Sequence, residues 1–308
     1  MTIQAEKLAS EDNRFHLLET QCAPMRPRSV TVSVVIPARN EAANLPHVLG
    51  QLAMVDEVIV VDGNSTDGTM DVARLHFPRA VVIEQTGTGK GNALACGFRA
   101  AHGDIVVMID ADMSMDPAEI PRLVDSLARR PHTYVKGSRL MAQGGSEDFT
   151  RTRRIGNRVL VGMVNLLYGT DFTDLCYGFI GFWRADLDVL GFGSDGNATE
   201  KAAHQLRSMG FEVETLLNVR AVRAGLEVTE VPSFERSRLY GQSNLKVIRD
   251  GLRGLRTIAV ERLRRPPRRA VDSRSGIRVP TLDRSAIRNR SGSLEDLQMR
   301  PEVNTVAV

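Results

Sequence analysis

VSVVIPARNE (residues 32–41) and EVIVVDGNSTDGT (57–69) share one plan: a short, mostly β-branched run passes directly into a polar loop. AVVIEQTGTGKGN (80–92) and DIVVMIDADMS (104–114) repeat it. Strands this apolar are buried on both faces, the environment of a parallel sheet covered by helices. The intervening segments supply the helices, the first through Leu45, Val48, Leu49 and Leu52, the second from Asp67 and the third from Lys90. The expected fold class is α/β, a doubly wound, mostly parallel sheet flanked by helices in a single domain. Such sheets bind ligands beyond the carboxyl ends of their strands, where all four unusual loops fall.

Working outward, residues 1–30 read as a flexible leader ending in CAPMRPRSV, and the folded domain is expected over 31–240. Beyond Pro117 a helix runs towards Arg130, TYVKGSR (133–139) supplies a strand, and RTRRIGNRVLVGMVNLLYG (151–169) is a basic entry into a largely apolar helix. TDLCYGFIGFW (173–183) reads as a strand, and residues 199–231 as helix, short break, helix and strand. An amphipathic basic helix is expected over 241–264, with Leu245, Ile248, Leu252, Leu255 and Ala259 on its apolar stripe. Residues 265–308, rich in Arg, Ser and Pro, read as a disordered basic tail.

Bulk properties narrow the class. The 308 residues, 42% of them hydrophobic, suffice for one large domain with extensions. From Arg249 onward fourteen Arg face seven Asp and Glu, in a chain whose net charge is only +3, so the body is mildly acidic and the end basic. That asymmetry fits either a solvated tail or contact with an anionic surface, phospholipid headgroups or nucleic acid, and not a uniformly basic nucleic-acid protein. Cys22, Cys96 and Cys176 form neither a CxxC pair nor an even framework, which implies reduced thiols. No signal peptide and no apolar run of about 18 residues is present, so a cytoplasmic protein, peripheral at most on the inner face of the membrane, is expected. His47, His76, His102, His132 and His204 lack metal-ligand spacing, and Trp183 reads as core or sheet edge.

The loops carry the chemistry. Asp110 and Asp112, one residue apart after IVVMI, can hold Mg²⁺ or Mn²⁺ against a diphosphate, which then leaves with its charge stabilised. By themselves such acids are as readily turn formers; Asp116-Pro117 reads as a helix cap. Gly87 to Asn92 combines backbone freedom with Lys90 at a helix start, suited to a diphosphate. The P-loop spacing is absent because Gly91 follows Lys90, and no GxGxxG follows the first strand, which disfavours ATPases and nicotinamide dehydrogenases. Asp62 can accept hydrogen bonds from ribose or base, and Asp67 caps a helix.

VVIPARNE, VVDGNSTDGT, GTGKGNAL and MIDADMSMDP, in this order, resemble the family 2 glycosyltransferases of GT-A fold. GSR (137–139), RRIGNRVLVGMVNLLYG, TDLCYGFIGF and EVPSFERSRLYGQSNL (230–245) are similar to the branch with dolichol- and polyprenyl-phosphate mannose and glucose synthases. The resemblance implies that Pro37, Ala38, Arg39 and Glu41 border the nucleotide, Asp62 reads base or ribose, Lys90 lies by the donor, and Asp110 and Asp112 carry the metal. It also implies that Arg139, Arg153, Arg154, Arg236 and Arg238 meet the acceptor phosphate. Two departures stand out: Gly63 replaces the second acid of the usual DDGSTDGT, and Ser114 stands where relatives often have Gln. The QxxRW motif of processive synthases is missing, so transfer of a single sugar is expected.

The reaction implied is inverting transfer from a UDP- or GDP-linked sugar to a polyprenyl phosphate, with Asp112 central to catalysis. A soluble saccharide or metabolite hydroxyl is the alternative acceptor, and Asp174 would then be the general base. Glu212 and Glu214 are weaker candidates, as outward-facing helix residues. Nucleotidyl transfer would need a Gly-rich loop directly after the first strand, which ARNE is not. A non-catalytic nucleotide- or membrane-binding module would leave Asp112 without a role in turnover.

Overall fold

The computed structural model describes residues 30–192, 209–242 and 246–264. The expected leader and tail, Cys22, His204 and Leu245 lie outside them.

The four quoted runs form β1 (Val32–Ala38), β2 (Glu57–Asp62), β3 (Val81–Glu84) and β4 (Ile105–Met108). Between them lie α1 (Leu45–Leu49), α2 (Thr69–His76) and α3 (Lys90–Ala100). After β4 come a 3₁₀ turn at Pro117–Glu119, α4 (Ile120–Ala128), β5 (Thr133–Ser138) and β6 (Gly145–Ser146). Then follow α5 (Arg151–Tyr168), β7 (Ile180–Trp183), α6 (Glu212–Arg223), β8 (Glu227–Pro232), β9 (Phe234–Glu235) and α7 (Val247–Leu263). Seven strands make one sheet in the order β3-β2-β1-β4-β7-β5-β8, with β6 and β9 forming a separate small pair. Only β7 runs antiparallel to its neighbours in the large sheet. TDLCYGFIGFW is therefore strand only in its second half; 173–179 is an ordered loop.

Because β1 is buried on both faces, its side chains feed two cores. Val34 and Ile36 pack with Leu45, Leu49 and Leu123 on one side; Val35 joins Ile59, Phe98 and Leu216 on the other. Each such residue contributes about 1.5–3 kcal/mol relative to exposure. Gly97 lets α3 lie close on the sheet, since a Cβ there would be 2.4 Å from Val35 Cγ1. The strand order reverses direction at β1, flanked by β2 and β4, and this switch point brings the four polar loops to one edge.

A smaller core of Leu160, Val164, Phe172, Leu175, Val219 and Ile258 joins α5, α6 and α7. Here the expected apolar stripe of α7 is corrected. Its docked face is Gly254, Thr257, Ile258 and Glu261, while Ile248 is 77% and Leu252 63% exposed. Gly254 permits close approach to Leu160, which a Cβ would meet at 3.2 Å. Glu261 can turn inward because Arg223 pairs with it at 2.7 Å and Arg264 at 2.9 Å. Ion pairing thus overrides hydrophobic periodicity, leaving two apolar residues outside.

Candidate active site

The first two loops are tied to each other. Asn40 Oδ1 accepts from the Thr66 amide at 2.8 Å, and Asp67 Oδ2 accepts from the Ala42 amide at 3.0 Å. Asp67 also accepts from the Thr69 amide at 3.1 Å, so it organises the start of α2. Asn40, Asn64 and Met113, one in each of three loops, have positive φ, backbone cost concentrated beside the cleft. Pro37, Ala38, Arg39, Glu41, Lys90 and Asp110 all line this cleft. Asp62 lies just beneath it, buried, with Oδ2 accepting from the Ser65 amide at 2.9 Å and Oδ1 unpartnered. An orphaned buried acceptor there suits an N–H or O–H of a bound nucleoside. Gly89, at φ +83°, opens α3 into the same cleft, with no side chain capping that helix.

A strap, residues 236–242, crosses the cleft. Arg236 N donates to Ser114 O at 2.9 Å, Leu239 N to Asp112 O at 3.1 Å, and Tyr240 N to Asn44 Oδ1 at 3.0 Å. Arg238 reaches inward to Glu41 at 2.8 Å and Asp112 at 3.1 Å. Opposite, Lys90 Nζ lies 2.6 Å from Asp110 and 2.8 Å from Glu214. Burial would pull the Lys90 ammonium down, but Asp110 and Glu214 hold it above its usual range. Four carboxylates thus meet two cations, an excess matching one divalent ion when all are ionised. Burial pushes the Glu41 and Glu214 carboxyls up, as uncompensated charge would. Asp112 moves down instead, because hydrogen bonds from Ser114 and the charge of Arg238 outweigh its burial.

Among the described residues no group of three or more His, Cys, Asp and Glu is arranged to hold a metal. Two carboxylates nonetheless fit Mg²⁺ or Mn²⁺ of the kind that takes its remaining ligands from water and substrate phosphates. Asp110 and Asp112, the pair expected to do so, both line the cleft.

Behind the carboxylates a second chamber opens, bounded by Arg139, Arg153, Tyr177, Glu214 and Arg238, and running between α5 and α7 to Gly156, Leu160, Val247 and Gly251. A neighbouring hollow, sharing Asp148, Arg153 and Val247, carries it on to Ile248 and Leu252. Cys176 lines the chamber and is exposed to it.

The five expected acceptor arginines separate. Arg139, Arg153 and Arg238 face the chamber; Arg154 and Arg236 do not. Arg154 sits on the exposed side of α5 over the Phe149 ring, and Arg236 pairs outside with Asp116 at 2.6 Å. Arg139 is itself committed. Its guanidinium meets Asp174 at 2.7 Å and Glu235 at 3.0 Å, between the rings of Phe149 and Tyr177.

Asp174 is correspondingly misplaced for a base. It is 0% exposed; burial would raise its carboxyl, but Arg139 and Lys136 hold it down and ionised. The real inward acid is on α6, which is buried all round, Glu212 and Glu214 included. Both were expected to face outward, and the only signal to the contrary is that they flank Val213 at the start of a helix whose other side chains are half apolar. Phe149, Phe211 and Glu235 gave no signal beyond residue type.

With this geometry in view, residues 33–191 match the family described as Glycosyl transferase family 2. The chain belongs to glycosyltransferase family 2. This glycosyltransferase is 31% identical over 234 residues to "Glycosyltransferase AglJ" of Haloferax volcanii, covering 73% of the chain and 70% of that protein. It is 27% identical over 225 residues to the dolichol-phosphate mannosyltransferase of Pyrococcus furiosus, covering 70% of the chain and 59% of that relative, less than two thirds of its length. Among solved structures it resembles glucosyl-3-phosphoglycerate synthase from Mycobacterium tuberculosis in complex with Mn²⁺, UDP and glucosyl-3-phosphoglycerate. The TM-score is 0.57 at 26% identity, over 76% of this chain and 80% of that one. The glycosyltransferase therefore has the GT-A fold, and no helix among its described residues is long and apolar enough to cross a membrane.

Proposed function

We propose that this glycosyltransferase moves one hexose from a UDP- or GDP-linked donor to a polyprenyl phosphate, with inversion. The observation that carries the acceptor is the chamber. It starts at Asp110 and Asp112, passes Arg153, and ends between α5 and α7 beside the exposed Ile248 and Leu252. A phosphate at the arginines with hydrocarbon leaving along the seam fits that gradient from charged to apolar. The mannosyltransferase relative, named for dolichol phosphate, supports the same choice.

In this reading the nucleoside lies over Pro37 to Glu41 with Asp62 beneath, and the diphosphate at Gly89 and Lys90. Asp110 and Asp112 would hold Mg²⁺ or Mn²⁺, which would supply Lewis-acid stabilisation of the leaving diphosphate. Arg153 and Arg238 exchange their carboxylate partners for the acceptor phosphate. An oxygen of that phosphate attacks the anomeric carbon, the bond from that carbon to the diphosphate oxygen breaks, and the nucleoside diphosphate departs. The attacking oxygen is already deprotonated, so no general base is needed, consistent with the locked state of Asp174. Arg139 shapes the wall, neutralised by its two carboxylates. Arg249 and Arg256, exposed beside Ile248 and Leu252, favour peripheral contact with anionic lipid.

The test is sugar transfer into the lipid phase, corrected for donor hydrolysis, with UDP- and GDP-hexoses, polyprenyl phosphate and Mn²⁺. Failure with every common donor overturns the reading. A water-soluble product would favour a small phosphorylated acceptor, the kind named for the mycobacterial synthase.

A further inference from the structure

Part of the chamber wall, Cys176, Tyr177 and Gly178, belongs to the loop 173–179 that leads into β7. A loop has no ladder to satisfy its main chain, so its enclosed amides and carbonyls need other partners. Here side chains supply them. Glu230 on β8 accepts from the Thr173 amide at 2.7 Å, the Thr173 hydroxyl at 2.7 Å and the Asp174 amide at 3.2 Å. Asn157 on α5 accepts from the amides of Leu175 at 3.0 Å and Cys176 at 3.2 Å, and Asn218 on α6 donates to Leu175 O at 3.1 Å. Lys136 on β5 donates to Asp174 O.

Of these holds, Lys136 is the one with most to offset. Its side chain is 0% exposed, and a buried ammonium loses hydration that only close partners replace. Those partners are Gly137 O at 3.0 Å, Asp174 O and, 3.7 Å away, the Glu230 carboxylate. Lys136 and Glu230 face each other in the register of β5 and β8, so the sheet itself fixes the pair. Both grip one residue, Glu230 by the Asp174 amide and Lys136 by its carbonyl. With its main chain held this way, Asp174 directs its carboxylate at Arg139, which it meets at 2.7 and 3.0 Å. Apolar side chains of similar volume would avoid the desolvation, so what the ion pair adds is the grip on the loop.

We propose that Lys136 and Glu230 are positioning residues for the acceptor chamber, a cross-strand ion pair that clamps the main chain at Asp174 and so sets the wall formed by Arg139, Cys176 and Tyr177. The consequence for polyprenyl phosphate rests on the acceptor reading above; the clamp does not.

The test uses the full chain and two variants. Lys136→Met alone strands Glu230 and lowers the melting temperature, whereas Lys136→Met/Glu230→Met removes both charges and the grip together, which separates folding from positioning. In the double variant the melting temperature recovers, while amide hydrogen exchange over 173–176 runs about tenfold faster or more. KM for polyprenyl phosphate rises about tenfold, and the affinities for UDP and GDP with Mn²⁺ stay within about twofold. Unchanged exchange in the double variant overturns the inference, as does a KM that recovers with the melting temperature or a nucleotide affinity that falls as far as KM rises. A double variant as unstable as the single one makes the pair a support of the sheet, which overturns it too. If the unaltered protein transfers no sugar to polyprenyl phosphate, the acceptor reading fails, and the exchange measurement still decides the clamp.

Discussion

The donor half, β1 to β4 with their loops, and the acceptor half, β5 to α7, hold charge in opposite ways. In the donor half, polar groups sit on loops and bond within a loop or to the next one: Asp62 accepts from Ser65, three residues away, and Asn92 from Gly87, five away, while one oxygen of Asp62 is left open. The acceptor half buries charges in its elements and pairs them at long range. Arg139 finds Asp174 across 35 residues and Glu235 across 96, and Arg223 finds Glu261 across 38. The first arrangement leaves the site open to an arriving anion. The second builds a rigid wall whose stability depends on each ion keeping its partner.

The largest expected effect follows from that dependence. Arg139→Ala leaves buried Asp174 with only Lys136 as counter-charge and half-buried Glu235 without its arginine, and breaking such a buried pair costs about 3–5 kcal/mol of folding stability. Urea unfolding measures it, and a loss below about 1 kcal/mol would place the pair with ordinary surface bridges. The pH dependence has a definite sign. Asp174 titrates below its ordinary 3.8 in the folded chain, so its stabilisation is complete above that value and is lost as pH falls through the folded pKa. Asp174→Asn should flatten that acid limb.

The donor half should break differently. Asp112→Asn removes a proposed metal carboxylate on a loop, and transfer is expected to fall on the order of 10²–10³-fold, as when one preorganised electrostatic contact is deleted. The fold should persist, because the strap is also held through main-chain bonds to Asp112 O and Ser114 O. Unchanged turnover would tell against the metal role; a large fall in melting temperature would erase the contrast between the halves.

The same contrast explains what could be read from the chain. The four strands, their loops and the position of Asp110 and Asp112 in the cleft were legible, because a β-branched run followed by a polar loop is a local pattern and the sheet places all such loops on one edge. Asp174 and Glu214 exchanged their expected environments because neither is decided locally. Asp174 is drawn inward by Arg139. Glu214 faces inward because α6 is enclosed on every side, which no period reveals. Likewise α7 turned Glu261 inward and Ile248 outward because arginines on α6 await the glutamate. Where pairing partners are far apart in the chain, residue type survives as a clue and orientation does not.

Two adjacent arginines offer the finest comparison. Arg153 and Arg154 differ by one position on α5, and so by about 100° around the helix axis. Arg153 faces the chamber and pairs with Asp148, whereas Arg154 lies over Phe149 on the outside. If the chamber receives a phosphate, Arg153→Gln should raise KM for polyprenyl phosphate about tenfold, the worth of one charge-assisted hydrogen bond. Arg154→Gln should leave KM and melting temperature almost unchanged, since exposed substitutions usually stay within about 0.5 kcal/mol. Steady-state kinetics on vesicles with fixed anionic lipid decides between them. Equal effects from both would mean that the arginines act through a shared surface potential, and raising the salt would then weaken both together, because only exposed charges are screened over about 10 Å at 0.1 M. A difference that survives salt belongs to the chamber, since a guanidinium inside it meets its phosphate at contact distance.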